Sequence, residues 1–148
     1  MTISCTKRLT FSAAHRLYRH EGLSNNVHGH NYAVLLTAEA EELDDVGRTV
    51  DFSVIASVVG EWLSCHLDRA LIFNVADGEL EKVSRMVEGQ RAFRLDVNPT
   101  VEHLAAYLYG VANELLGPVV YVNKVTVFAT DDKSATFELP RGELRCSE

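Results

Sequence analysis

The segment YAVLLTAEA, residues 32–40, places Tyr32, Val34, Leu36 and Ala38 at every second position. Successive side chains of a strand point to opposite faces, so this spacing commits the segment to a strand with one face in a core. A matching run lies upstream, where Leu9, Phe11 and Ala13 alternate with polar neighbours. The pattern predicts strands over residues 2–13 and 30–40, joined by the long connection HRLYRHEGLSNNVHG.

After the second strand, EELDDVGRTVDFS is a polar break. Asp51 or Ser53 can cap a helix in which Val54, Ile55, Val58, Val59, Trp62 and Leu63 form one apolar face, ending near Cys65 to Leu67. Residues 74–98 carry mixed charge and scattered glycines without a sustained period, and read as irregular or partly helical. NPT opens a second helix, with Asn98 as cap and Pro99 in the first turn, where a missing N–H costs nothing. Val101, Leu104, Ala105, Leu108, Val111, Ala112 and Leu115 then recur at three and four residues, until Gly117-Pro118 stops the helix. VNKVTVFAT and SATFELP alternate as two more strands across the turn-forming DDK. The order strand, strand, helix, helix, strand, strand predicts an α+β fold, a four-stranded antiparallel sheet with two helices on one face. Free edge strands on such a sheet commonly pair with another copy, so a homo-oligomer is expected.

At 148 residues and 47% hydrophobic content the chain is sized for one domain with a substantial core. No stretch approaches the roughly 20 consecutive apolar residues of a membrane span, and MTISCTKRLTF lacks a signal peptide's apolar centre, so a cytoplasmic protein without a membrane partner is expected. A formal charge of −7 with no basic stripe argues against nucleic acid as the main partner. A small anion could still be held locally by Arg16, Arg19 or Arg69. Cys5, Cys65 and Cys146 are odd in number, widely spaced and free of any Cys-x-x-Cys pair, which predicts reduced thiols rather than disulfides or a thiolate metal site.

The strand ends carry the chemistry. His28 and His30, in NVHGHNY, are two residues apart and share a face if the chain is extended there. His15 ends the first strand in FSAAHRL, and a hairpin pairing brings it beside them. Three neutral imidazoles with one open position form the usual ligand set of a catalytic zinc site. A His-x-His pair alone is a weak signal, since core and surface histidines are common, and the topology of His15 is what strengthens it.

LTFSAAHRL, HGHNY, VDFSVI, LDRALIFN and NPTVEHLA occur in the order and near the spacing of the 6-pyruvoyltetrahydropterin and 6-carboxytetrahydropterin synthase family, which this chain resembles over most of its length. The resemblance implies the tunnelling fold, in which trimers close their sheets into a barrel and two trimers stack as a hexamer with active sites between subunits. It implies zinc on His15, His28 and His30, and a pterin substrate, 7,8-dihydroneopterin triphosphate. In that family zinc holds and polarises the side-chain oxygens while neighbouring groups move protons. Triphosphate is then eliminated and, in the carboxy branch that feeds queuosine synthesis, acetaldehyde is lost.

The departures bear on the catalytic residues. The family's general-base cysteine, four residues before the first histidine of HGH, is Ser24 here. A hydroxyl is a far weaker base than a thiolate. The family's Leu-Asp-His is Leu67-Asp68-Arg69, keeping the carboxylate of Asp68 but replacing the shuttling histidine by an always-protonated arginine. Arg69 could instead grip a phosphate, and Cys65 or His66 could fill the proton-transfer gap, although a packed thiol and a surface imidazole are the simpler readings. The pterin-anchoring glutamate that precedes threonine in the family is absent from Ala129-Thr130, with Asp131 and Asp132 as possible stand-ins. Glu102 matches the family's other pterin-pocket carboxylate, and Thr100 and Thr130 fall beside the two recognition motifs. Three readings stay open: a pterin lyase with altered proton transfer, a zinc enzyme of the same fold with another substrate, and a non-catalytic pterin-binding hexamer.

Overall fold

The computed structural model describes residues 2–140. Strands β1 (Ile3–His15) and β2 (His28–Ala40) pair antiparallel without a slip, from Ile3 opposite Ala40 to His15 opposite His28. The predicted hairpin is present, and each strand extends two residues further at the histidine end. Helix α1 (Phe52–His66), strand β3 (Leu71–Asn74), helix α2 (Gly78–Met86), strand β4 (Ala92–Leu95), helix α3 (Val101–Leu116) and strands β5 (Tyr121–Thr130) and β6 (Lys133–Glu138) follow. No helix among the described residues is long and apolar enough to cross a membrane.

The α+β class stands, but the sheet has six strands rather than four and is mixed rather than antiparallel, in the order β4-β3-β1-β2-β5-β6. The four predicted strands form its antiparallel part. β3 runs parallel to β1 through Ala14 and His15, and β4 runs parallel to β3. Three α-helices replace the predicted two, because α2 lies within residues 74–98, the stretch read as irregular or partly helical. LIFN and AFRL are four residues each, too short to show a period, and they form strands through partners far away in sequence.

Capping settles the helix starts. Asp51, not Ser53, caps α1, its carboxylate accepting the Ser53 N–H at 2.9 Å. Thr100, not Asn98, caps α3, accepting the His103 N–H at 3.2 Å. The Asn98 amide instead accepts the Tyr18 N–H and donates to the Tyr18 carbonyl, pinning the β1–β2 connection to the start of α3. Helix α1 buries Ile55, Val59 and Leu63, while Val54 at its predicted apolar face is 41% exposed. Helix α3 buries Leu104, Ala105, Leu108, Tyr109, Ala112 and Leu116, leaving Leu115 outside.

Tyr32, Val34, Leu36 and Ala38 are all buried with the inner residues of α1, α3 and β5, as the alternation requires. Burying one such leucine or isoleucine contributes about 1.5–3 kcal/mol. Cys5 and Cys65 are free thiols, and Cys65 is exposed rather than packed. Cys146 lies outside the described residues.

Candidate metal centre

The hairpin register places His15 directly opposite His28, and the two-residue strand period puts His30 on the same face. One ligand nitrogen from each ring lies within 4.8 Å of the other two. The rings meet edge-on, with centroids 4.7–5.1 Å apart.

Backbone carbonyls fix which nitrogen each ring offers. His15 Nδ1 lies 3.0 Å from the Pro99 carbonyl, and His28 Nδ1 lies 2.7 Å from the Asn26 carbonyl. A carbonyl can only accept, so both Nδ1 atoms carry hydrogen, and in the neutral rings both Nε2 atoms are bare lone pairs. Those two Nε2 atoms face each other at 3.1 Å. Two acceptors with no proton between them repel, and a Lewis-acidic cation relieves that repulsion. The donor set therefore fits zinc, which binds imidazole nitrogens at about 2.0–2.1 Å.

Burial favours the ligating form of His15 and His30. It pushes the His15 imidazole down to about 4, with the neighbouring charge of His28 acting in the same sense against the Pro99 hydrogen bond. His30 is lowered by burial, then by His28 and by Lys133 at the start of β6. Tyr32 stacks on Phe11 with centroids 4.8 Å apart and brings its hydroxyl 3.2 Å from His15 Nδ1. Burial raises the phenol's pKa, so Tyr32 stays protonated and neutral beside the ligand.

The sign of the His15 shift makes a pH prediction for protein stripped of metal. With the folded value near 4 and an ordinary value of 6.5, the unfolded chain binds more protons between them. The His15 contribution is complete above 6.5 and is lost as pH falls toward 4. By pH 5 the loss should be about 2 kcal/mol, a drop of roughly 4–8 °C in melting temperature relative to pH 7. Thermal melts of chelator-treated protein at the two pH values measure it, and His15→Asn should flatten the difference.

The remaining predicted residues fall into separate neighbourhoods. Asp68 accepts the Ser12 N–H at 2.9 Å, while the Arg69 N–H donates to the Ser12 carbonyl, so this pair caps the free edge of β1 three residues before His15. Arg69 has φ near +59°, a left-handed conformation just beyond the end of α1. His30 and Arg69 both stand on the wall of a cavity of about 510 Å³. Ser24 sits in the short 3₁₀ turn Leu23–Asn25, its carbonyl accepting the Leu17 N–H; among the described residues no hydrogen bond joins it to Asp68 or Arg69.

Thr100 is engaged as the α3 cap, and Glu102 is exposed in the first turn beyond it. Thr130 ends β5 and donates to Asp132 at 2.7 Å. That hydrogen bond lowers the Asp132 carboxyl and commits it to the turn. Asp131 instead lines a cavity of about 330 Å³ with Arg8, Asn31 and Thr130. His66 is held on its own helix, Nδ1 at 2.9 Å from the Trp62 carbonyl and its ring stacked on Trp62, which favours the surface-imidazole reading.

Sequence reasoning missed Pro99, Tyr32 and the Arg16–Asp77 pair. Asp77 is 1% exposed, receives both Nε and Nη2 of Arg16 at 2.6 and 2.5 Å, and caps α2. Burial alone would raise its carboxyl, but the Arg16 hydrogen bonds and charge outweigh that and lower it. The pair ties the residue after His15 to α2. No local pattern links residues 16 and 77, so only the three-dimensional packing reveals it.

Comparison with known proteins bears directly on this site. The family described as 6-pyruvoyl tetrahydropterin synthase matches residues 4–140. A 6-carboxy-5,6,7,8-tetrahydropterin synthase of Rickettsia bellii is 34% identical over 106 residues, covering 72% of this chain and 77% of that protein. Among solved structures, an uncharacterized protein from Wolinella succinogenes superposes with a TM-score of 0.80 at 18% identity, covering 95% of this chain and 99% of its own. The Caenorhabditis elegans 6-pyruvoyl tetrahydropterin synthase gives 0.69 at 21% identity, covering 95% and 97%. At these identities the structural likenesses establish the fold.

Proposed function

The chain belongs to the 6-pyruvoyl tetrahydropterin synthase family, and from that membership we propose that it is a zinc-dependent lyase acting on 7,8-dihydroneopterin triphosphate or a related pterin. The observation that carries this reading is the facing pair of His15 and His28 Nε2 lone pairs, with His30 completing the set. Zinc held there would supply Lewis acidity toward the oxygens of the pterin side chain.

The chain's own groups account for the rest. The Pro99 and Asn26 carbonyls hold the His15 and His28 rings in the ligating tautomer. Asp68, anchored through one oxygen by the Ser12 N–H, has its other oxygen free to take up and return a proton. Ser24 can orient a substrate oxygen by hydrogen bonding but is no base at its ordinary pKa. Arg69 keeps its proton and cannot shuttle. Glu102 is the carboxylate available to a pterin's N–H groups, with the Thr100 and Thr130 hydroxyls as further polar contacts. The exposed edge strands β4 and β6 support assembly of this one domain into the family's barrel, a hexamer of two stacked trimers. A cytoplasmic place in queuosine synthesis is part of the same proposal, and the carboxy branch is the one to which the 6-carboxy-5,6,7,8-tetrahydropterin synthase of Rickettsia bellii belongs by name.

A second reading, the same zinc scaffold serving another substrate, is favoured by one observation. Ala129 stands where a pterin-anchoring carboxylate is expected, and the neighbouring Asp132 is consumed by Thr130. Incubating zinc-loaded protein with 7,8-dihydroneopterin triphosphate and identifying products by mass spectrometry separates the two. Formation of 6-carboxytetrahydropterin or 6-pyruvoyltetrahydropterin is expected. Unchanged substrate with zinc in place would overturn the pterin reading.

A further inference from the structure

Among the described residues the Arg69 guanidinium makes no hydrogen bond and no ion pair, although its backbone is fixed on both sides by Ser12 and by the Gln90 side-chain amide. It lines a cleft of about 370 Å³ with Ser64, Asp68, Gly89, Gln90 and Arg91. Arg91 donates from Nη1 to the Ser64 carbonyl at 2.5 Å and the Asp68 carbonyl at 2.8 Å, and among the described residues its Nε and Nη2 have no partner. Gly89, at φ near +76°, contributes no side chain and has open space where a Cβ would stand. Two guanidinium groups thus face one polar cleft in a chain whose net charge is −7, and Asp68 offsets only one of them.

The cleft borders a second cavity. Arg69 and Gln90 line both it and the 510 Å³ cavity on whose wall His30 stands. We propose that the Arg69–Arg91 cleft is an anion subsite that holds the polyphosphate tail of the substrate. The planar forks of two arginines suit phosphate oxygens better than a single ammonium would. The change from a shuttling imidazole to Arg69 then exchanges a proton carrier for an anion holder. Identifying the anion as a substrate's polyphosphate rests on the lyase reading above, whereas the binding of phosphate oxygens does not.

Inorganic tripolyphosphate is the probe, titrated calorimetrically into the zinc-loaded protein, with Arg69→Gln and Arg69→Lys beside it. The Arg69 side chain is exposed and makes no hydrogen bond or ion pair among the described residues, so neither substitution should disturb the fold. Saturable binding that weakens about tenfold or more in Arg69→Gln, and less in Arg69→Lys, is expected. Equal binding by Arg69→Gln, or no saturable binding by the parent, would overturn the subsite. Retention of tripolyphosphate binding in His28→Ala supports the cleft as the site, and its loss there would place the anion on the metal and overturn the proposal. Because calorimetry needs no turnover, a protein that binds tripolyphosphate but leaves the pterin triphosphate unchanged would sink the lyase reading while the anion subsite stood.

Discussion

Replacing His28 by alanine should lower bound zinc from about one per chain to less than about a tenth of that, and should abolish pterin turnover. The expectation follows from the opposed lone pairs. His28 Nε2 lies 3.1 Å from His15 Nε2, and its other nitrogen is committed to the Asn26 carbonyl, so no other atom of the ring can substitute. Removing it leaves two imidazoles, short of the three that a catalytic zinc site uses. His28 is only half-buried at the end of β2, so the variant should fold normally, and circular dichroism would verify that. His66→Ala, on α1 against Trp62, is the control and should keep its zinc. Undiminished zinc in His28→Ala, by elemental analysis, would remove the metal assignment.

The largest loss of stability is expected from Asp77→Ala. Arg16 is 13% exposed and Asp77 1%, so deleting the carboxylate leaves a nearly buried guanidinium without its partner. Breaking such a pair from one side costs about 3–5 kcal/mol, and losing the cap on α2 adds about 1 kcal/mol. Urea denaturation should show a midpoint lowered accordingly. Asp77→Asn keeps an acceptor for the Leu80 N–H and should lose less. A loss below about 1 kcal/mol in Asp77→Ala would mean that the pair is not the strut between β1 and α2 that its geometry indicates.

The parts of this architecture that local chemistry dictates could be read from the sequence. Tyr32, Val34, Leu36 and Ala38 alternate because one face of β2 is buried, and the α3 residues recur at three and four for the same reason. The histidine cluster was readable because it needs only a hairpin and a two-residue period. β3 and β4 were not, since each has four residues and is defined by parallel partners distant in the chain. The α3 cap was misplaced by two residues because Asn98, a good cap in isolation, is drawn to the Tyr18 backbone. Arg69 could be seen to be no proton shuttle, but its open cleft with Arg91 depends on a left-handed turn and on β4, neither of which leaves a pattern in the residues.

The most direct test of the central claim is turnover as a function of metal. Protein stripped by chelation should leave 7,8-dihydroneopterin triphosphate intact, and stepwise addition of zinc should restore formation of 6-carboxytetrahydropterin or 6-pyruvoyltetrahydropterin, levelling off at about one zinc per chain. Turnover that persists in the stripped protein, or no turnover when the site is full, would contradict a zinc-dependent pterin lyase built on His15, His28 and His30.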